Sequence, residues 1–292
     1  MKYASMWSPV WSAGALLLSA AMLAGCGGGN SGAEADASVS AATAQASEAN
    51  NIADSMTSVQ VTNSGGAVTD IARVSPDSIS GCPAIDVKST GSGGAWTDEV
   101  LTFANPPCSF TGARGYDTLA ITGSVELTRS DTSGLAFNSS VQNLEFAFST
   151  LNATYSETRN GTRMVTASPS IATSSNNISV VFVGALHSGT LTHTLTAGFT
   201  PASGMQLAAG EPLPNGTFDF SGNANWVGSD GNSDTFSVVT VTPLAYDSAC
   251  TDTEPSVFSS GQVNLHGSKD SANAYASVVW SNCQAPTITY VP

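Results

Sequence analysis

The stretch ISVVFVGALHSGTLTHTLTAGF, residues 178–199, indicates the fold class. It holds two runs rich in apolar residues, 178–186 and 191–199, which are separated by Ser188-Gly189. In the second run apolar and polar residues alternate, and a period of two places the two sets on opposite faces of a β-strand. Serine and glycine form turns readily, so the stretch predicts two antiparallel strands joined by a short connection.

Short runs of alternating apolar and polar residues, separated by turn residues, continue from about Val74 to the end of the chain. Residues 119–127 and 144–148 alternate in the same way, and no later segment keeps an apolar period of 3.6 residues for three turns. Asn160-Gly161 is predicted to be a hairpin turn, because both residues tolerate positive φ. The remaining predicted strands share this composition: residues 153–158, 163–167, 217–227, 235–244, 262–266, 275–280 and 287–291. The chain is therefore predicted to be all-β, an antiparallel meander of hairpins forming a barrel or a two-sheet sandwich.

Three segments resemble one another: residues 123–127, 222–226 and 261–265. Each is a glycine followed by polar/apolar alternation, and each approaches a turn containing Ser or Asp. We attribute this similarity to the similar composition of β-hairpins, and an ancestral duplication of a hairpin is the alternative. The spacing is too irregular for a solenoid or a propeller.

The segment before the β region has a different composition. Residues 27–63 consist largely of Gly, Ala, Ser, Glu and Asn, with no aromatic residue, and the Ala-rich part at 41–53 lacks an apolar stripe. Such a sequence has little apolar surface with which to offset the entropy of ordering. We therefore expect a flexible tether over residues 26–74, disordered or at most loosely helical, and a β domain over residues 75–292.

Residues 1–25 have the parts of a secretory signal peptide. Lys2 precedes an apolar run at 13–23, which is shorter than the roughly 20 residues that a membrane-spanning helix needs. Leu23-Ala24-Gly25-Cys26 then resembles a bacterial lipobox. The resemblance implies a diacylglycerol thioether on Cys26, cleavage before it and N-acylation, which together give a stable membrane anchor. Because Gly27 rather than Asp follows the cysteine, the resemblance favours the outer membrane.

The charge balance excludes one large class of partner. The chain has 22 acidic residues against 8 basic ones, whereas a nucleic-acid-binding face is basic. Charged residues make up 10% of the chain, below the usual value of about 25%, and Ser, Thr, Gly and Asn are abundant. We therefore expect no nucleic acid, and attachment to the membrane through acyl chains rather than through the protein surface.

Four cysteines remain besides Cys26, an even number in an oxidising compartment. The expected disulfides are Cys82–Cys108 and Cys250–Cys283, because each pair brackets one local hairpin. The long-range alternative, for example Cys82 with Cys283, joins the ends of the domain. Zinc is not expected, since the chain has no CxxC spacing.

No catalytic motif is present: the chain contains no HExxH, P-loop, dinucleotide fingerprint or nucleophile elbow. We expect His187 and His193 to be solvent-facing hairpin residues, since neither has Asp or Glu within four residues. His266 is expected at a strand end, and Asp98-Glu99 as a solvated pair. The three tryptophans considered for a ligand groove are expected in the core or at sheet edges: Trp96, Trp226 and Trp280.

The loop at residues 230–234 is the best candidate for a cation site. Asp230, Asn232 and Asp234 offer oxygens at alternate positions, but an EF-hand needs Gly where Thr235 stands and Glu where Val241 stands. We expect a plain turn here, with Ca²⁺ binding as the alternative and no other metal or cofactor.

These features favour a lipid-anchored cell-envelope protein of the outer membrane, with a binding, shielding or structural role and no catalytic activity. One alternative is a carrier of lipid or another apolar ligand in a β-barrel. The other is a secreted polysaccharide hydrolase, which needs a cleft with two carboxylates.

Overall fold

A computed structural model gives the structure of residues 31–58, 84–90, 96–111, 117–129, 136–150, 154–184, 188–208, 213–250, 256–269 and 273–292. These ranges contain one helix followed by twelve strands. In chain order they are α1 (Ser31–Ser58), β1 (Ala84–Thr90), β2 (Trp96–Thr111), β3 (Thr118–Arg129), β4 (Phe137–Ser149), β5 (Thr154–Ser168), β6 (Ile171–Val183), β7 (Gly189–Pro201), β8 (Gly216–Gly228), β9 (Ser233–Tyr246), β10 (Phe258–Gly267), β11 (Tyr275–Ser281) and β12 (Thr287–Val291).

The twelve strands form one sheet in which every strand pairs with its sequence neighbours. The spatial order is β1 to β12, and all of the pairings are antiparallel. The predicted all-β antiparallel meander is confirmed. Because β1 and β12 are the two edges, the described residues show a single open sheet, with neither a ladder that closes it nor a second sheet stacked on it.

The two faces of β7 differ sharply in composition. Along β7 buried and accessible positions alternate almost without interruption. The inward residues are Leu191, His193, Leu195, Ala197 and Phe199, and the outward residues of the same strand are Thr190, Thr192, Thr194 and Thr196. The inner face is therefore largely apolar, and this outer face is solvated by hydroxyl groups.

Glycines in the middle of strands bend the sheet. Asn160-Gly161, predicted as a hairpin turn, instead lies within β5, where it pairs with Ser179 and Ile178 of β6. Gly161 has φ of 142°, and the adjacent β4 ladder slips in register beside it, so the glycine supports a bulge rather than a reversal of the chain. The glycines that begin the three similar segments also have positive φ: Gly123, Gly222 and Gly261. Their likeness thus has a common physical cause, a bend in the strand.

The helix α1 runs inside the curved sheet, which corrects the predicted flexible tether. Residues 31–58 of that segment form α1, which contacts β6 to β12; its other residues lie outside the described ranges. The buried helical residues share one broad side of the helix: Ser38, Ala41, Ala42, Ala44, Gln45, Ala46, Glu48, Ala49, Ile52 and Ala53. The opposite side is half-buried and carries Val39, Ser40, Thr43, Ser47 and Asn50. Small alanine side chains on the buried side let the strands approach closely, so the helix packs there with few large apolar residues. Among the described ranges, no helix combines the length and the apolar character that crossing a bilayer requires.

The predicted pairing of Cys250 with Cys283 is confirmed. Their Cα atoms lie 5.7 Å apart, and the bond joins the chain before β10 to the chain after β11. Cys108, on β2, is also disulfide-bonded. Its predicted partner Cys82 lies outside the described residues, as do the predicted signal peptide and Cys26.

Candidate functional site

The most unusual feature of the interior is a group of charged side chains between α1 and the sheet. Glu48 projects from the helix, and both of its carboxylate oxygens have partners on strands. Nε of Arg159 on β5 lies 2.9 Å from Oε1, and Nε2 of His193 on β7 lies 3.1 Å from Oε2. The side chains of Glu48 and His193 are both 0% exposed. Helix and sheet are therefore joined by charge-assisted hydrogen bonds in a site shielded from water.

A second carboxylate completes this group, which we call the interior charge cluster: Glu48, Glu157, Arg159 and His193. Nη2 of Arg159 donates to Oε2 of Glu157 at 2.5 Å, and the hydroxyl of Ser47 donates to Oε1 at 2.8 Å. The guanidinium also lies 4.8 Å from the ring centroid of Phe146. Arg159 thus contacts two carboxylates and an aromatic face, an arrangement suited to its planar, delocalised charge.

Polar contacts continue along the inner face of β5 and β6. Arg163 donates through Nε to Oδ1 of Asn176, which also accepts from the hydroxyl of Ser174 at 3.1 Å. Nδ2 of Asn176 donates to the carbonyl of Leu195 on β7 at 3.2 Å. This network ties three adjacent strands together beside the interior charge cluster.

The helix has another attachment two residues beyond Glu48. Oδ1 of Asn50 accepts from the hydroxyl of Ser256 at 2.8 Å and from the backbone N–H of Val257 at 3.2 Å. These residues precede β10, on the far side of the sheet from β5 in strand order. Contacts of α1 therefore hold both the middle and the later part of the sheet.

The electrostatics of Glu48 decide its ionisation state. Burial by itself raises the pKa of a carboxyl group, but the positive charge of Arg159 and the hydrogen bond from His193 outweigh it, and the pKa of Glu48 falls to about 2. Burial alone lowers the pKa of Arg159, whereas Glu48 and Glu157 raise it above its ordinary value. Glu48 is thus ionised at neutral pH, and Nε2 of His193, facing a carboxylate, is the donor.

The chemistry open to this cluster is limited by its burial. Reaction with an external molecule requires access, and the side chains of Glu48, Glu157, Arg159 and His193 are at most 6% exposed. Nδ1 of His193 is buried and has no hydrogen-bond partner among the described residues, so no third group orients the imidazole as in a catalytic triad. The arrangement instead fixes the position of α1 within the sheet.

Strand alternation explains why these residues meet. Glu157, Arg159 and Arg163 are separated by even numbers of residues, so they point to the same face of β5, which is the inner one. The prediction that His193 faces solvent is wrong, since its side chain is buried. Its partner Glu48 lies 145 residues away in the sequence, so the residues around His193 give no sign of it. One signal in the sequence could have indicated a polar interior. On β5, Glu157, Arg159 and Arg163 are an even number of residues from Val165, an apolar residue, so they share its face of the strand.

The other predicted histidine and acidic positions have mixed outcomes. His187 lies outside the described residues, and His266 is near the end of β10, with its ring centroid 5.3 Å from that of Tyr275. The expected solvated pair Asp98-Glu99 is not one, because Glu99 is buried on β2. Its inward position follows from its even spacing to buried Leu101 and Phe103 on that strand.

The structure does not bring the three candidate calcium ligands together. Asp230 accepts hydrogen bonds from the backbone and side-chain nitrogens of Asn232 within the turn between β8 and β9. The carboxylate of Asp234 instead accepts from the hydroxyl of Ser268 at 2.6 Å and from the backbone N–H of Thr235 at 2.7 Å. Within the described ranges, no cluster of three or more His, Cys, Asp or Glu residues has a metal-binding arrangement.

The three tryptophans were expected in the core or at sheet edges, and Trp226 and Trp280 are buried. Trp96 begins β2 at its pairing with Thr90. A groove of about 600 Å³ lies over the outer faces of β3 to β7. Its central row is Thr162, Asn177 and Thr194, which are cross-strand neighbours.

Comparison with known proteins gives no relative for this arrangement. No protein-family model matches the chain. Neither the curated proteins nor the solved structures contain a match.

Proposed function

We propose that this protein is a lipid-anchored component of the bacterial cell envelope, attached through Cys26, with a binding, shielding or structural role rather than a catalytic one. The observation that carries the role is the occupied interior: α1 lies within the curved sheet, and the alanines of its buried side belong to the same core as the strands. The outer face of the sheet is then the surface that meets the surroundings, and it carries threonine, serine and asparagine together with exposed valines such as Val181, Val239 and Val241.

Interior packing argues against a carrier of apolar ligands. A carrier needs an interior volume that side chains leave empty, whereas here helical alanines and strand aromatics form one continuous core. The charge cluster argues against a polysaccharide hydrolase acting at that position. Glu48 and Glu157 are both bound to Arg159 and are covered from solvent, so they do not flank a cleft.

The membrane attachment is tested by replacing the lipid-bearing residue. We expect Cys26→Ser to leave an unprocessed precursor or to release the protein from the membrane fraction, because the thiol that receives the diacylglycerol is gone. Metabolic labelling with a fatty acid and detergent partitioning measure this. Gly27→Ala, which keeps the lipobox, is the matched control, and equal labelling of both variants would refute the anchor.

A second experiment tests whether the lipidated protein is sorted to the outer membrane. In an enteric host, Gly27→Asp is expected to shift the protein from the outer to the inner membrane fraction, since an aspartate after the lipidated cysteine is the inner-membrane signal implied by the lipobox resemblance. Density-gradient separation of the two membranes reads the result. An unchanged distribution would argue against outer-membrane sorting by this signal.

A further inference from the structure

We infer that the β domain is held directly against the membrane surface, with α1 as a short connection between the lipid on Cys26 and the protein core. The inference rests on the proposed lipidation of Cys26. The partner is a lipid bilayer, into which the acyl chains on that residue insert. The segment expected to be a long spacer is largely used as the interior of the domain itself.

The length of chain between the anchor and the core sets a limit on their separation. Four residues, 27–30, lie between Cys26 and the first residue of α1. Fully extended, the steps from Cys26 to Ser31 span at most about 18 Å. Seven helical steps then lead to Ser38, which is buried, and add about 10 Å. A buried residue thus lies within roughly 28 Å of the lipidated cysteine.

A flexible tether over residues 26–74 behaves differently. A Gly-rich random coil of that length has a root-mean-square span of about 35–40 Å and can extend much further. The two arrangements therefore predict different layers of water between the lipid headgroups and the protein.

The contacts of α1 oppose its withdrawal from the sheet. If the helix left, Arg159 and Glu157 would lose Glu48 and Ser47, and Val257 and Ser256 would lose the side-chain oxygen of Asn50. The apolar inner face of the sheet would also become exposed to water, which is costly per unit area. The helix is consequently part of the folded domain rather than a detachable arm.

Attraction between the protein surface and lipid headgroups is not needed for this placement. The chain carries a net charge of −14, so an anionic membrane repels it, and the acyl chains alone hold it in place. The separation from the bilayer is then set by chain length, and we expect it to be insensitive to ionic strength.

The test uses the full lipidated protein on a supported phosphatidylcholine bilayer, with neutron reflectometry to measure the water layer below the protein. Three forms are compared: the natural chain, a chain with 40 Gly/Ser residues inserted between Gly29 and Asn30, and a control with the same insertion between Gly231 and Asn232. The control position lies in the exposed turn between β8 and β9. The spacer by itself has a root-mean-square span of roughly 35 Å.

We expect protein density to begin within about 18 Å of the headgroups for the natural chain and for the turn insertion. The insertion after Gly29 is expected to thicken the water layer by roughly 35 Å. Amide hydrogen exchange on the bound protein should show protection across residues 38–53. A natural protein that binds the bilayer but stands as far away as the spacer form overturns this inference alone. A natural protein that fails to bind overturns both the inference and the proposed anchor.

Discussion

Strand β7 and helix α1 both contribute buried residues to the core, but only the strand could be predicted from the sequence. β7 faces two environments, the apolar core and water, and its residues alternate accordingly between Leu, Ala or Phe and Thr. In α1 the half-buried positions Val39, Thr43, Ser47 and Asn50 recur at helical spacing, but polar residues stand on both sides of the helix, because Gln45 and Glu48 are buried. A period appears in the sequence only when the two sides of an element differ in polarity, and in α1 they differ little.

The two elements also fill space in opposite ways. β7 contributes large side chains such as Leu191 and Phe199, whereas α1 contributes mainly alanines, with Ile52 as its large buried residue. The strands supply most of the side-chain volume of the core. The helix is narrow because its side chains are small, and the sheet curves around it. Low hydrophobicity in α1 is thus compatible with burial of one broad side of the helix, because the strands provide most of the apolar surface.

Removal of α1 is expected to have the largest effect. A chain lacking residues 31–58 should lose its cooperative unfolding transition and bind a hydrophobic dye, because the inner face of the sheet has no replacement for the helix. Urea denaturation followed by tryptophan fluorescence measures this. A chain lacking only residues 27–30 is the control and should unfold normally. Cooperative unfolding of the helix-less chain would show that the sheet is stable alone.

Removal of the Glu48 carboxylate is expected to have the next largest effect on stability. Glu48→Ala leaves the guanidinium of Arg159 with one of its two acidic partners in a buried site, and we expect a loss of about 3–5 kcal/mol in the free energy of unfolding. Asp219→Asn, on the exposed face of β8, is the control and should change it by less than about 0.5 kcal/mol. Equal effects for the two variants would contradict the structural role of the interior charge cluster.

The same carboxylate predicts a pH dependence. The pKa of Glu48 is lowered from 4.5 to about 2 in the folded protein, so its contribution to stability is complete above about pH 4.5 and is lost as the pH falls towards 2. The amount at stake is about 3 kcal/mol. Denaturation between pH 5 and pH 2 should therefore show a steeper loss for the natural protein than for Glu48→Gln. Parallel curves would mean that Glu48 has an ordinary pKa.

The bends in the strands give a smaller effect with a close control. At Gly222, φ is 142° and an added Cβ would lie 2.2 Å from the carbonyl oxygen of Thr194, whereas at Gly198 nothing lies within 4 Å. We expect Gly222→Ala to lower the free energy of unfolding by about 3 kcal/mol. Gly198→Ala should leave it unchanged or raise it by about 0.5 kcal/mol, because alanine costs less chain entropy. Equal losses at both positions would contradict the bend.

Enlarging the helix is expected to have the smallest effect of the series. Ala42 and Ala44 lie on opposite sides of α1, and each is in contact with the core. Ala42→Leu and Ala44→Leu should each cost about 1–3 kcal/mol through overpacking. Thr194→Val, on the outer face of β7, should cost less than about 0.5 kcal/mol. Tolerance of leucine at either alanine would reveal a loosely covered side of the helix.

Local patterns predicted much of the sheet. The hairpins β6–β7 and β8–β9, the strands β10 to β12 and the Cys250–Cys283 bond were all predicted from alternation and turn residues. Asn160-Gly161 was misassigned because positive φ serves both a hairpin turn and a mid-strand bend. What decides between them is the pairing of β5 with its neighbours, which is not a local property.

The candidate site was much less predictable. Glu48 sits in a segment whose composition is typical of disorder, and its partners Arg159 and His193 lie 111 and 145 residues further along the chain. Each residue taken singly resembles an ordinary solvated polar group. Only the curvature of the sheet brings them together around one helix.

α1 precedes all twelve described strands in the chain, which has a consequence for the order of assembly. The helix is made first, but its contacts are with residues as distant as Ser256, which follows it by 206 positions. It has no apolar face on which to form a stable nucleus by itself, and contacts of such long range are associated with slow folding. The native state is therefore completed only when the last strands arrive, and a chain interrupted before β10 lacks three of the strands that α1 contacts, β10, β11 and β12.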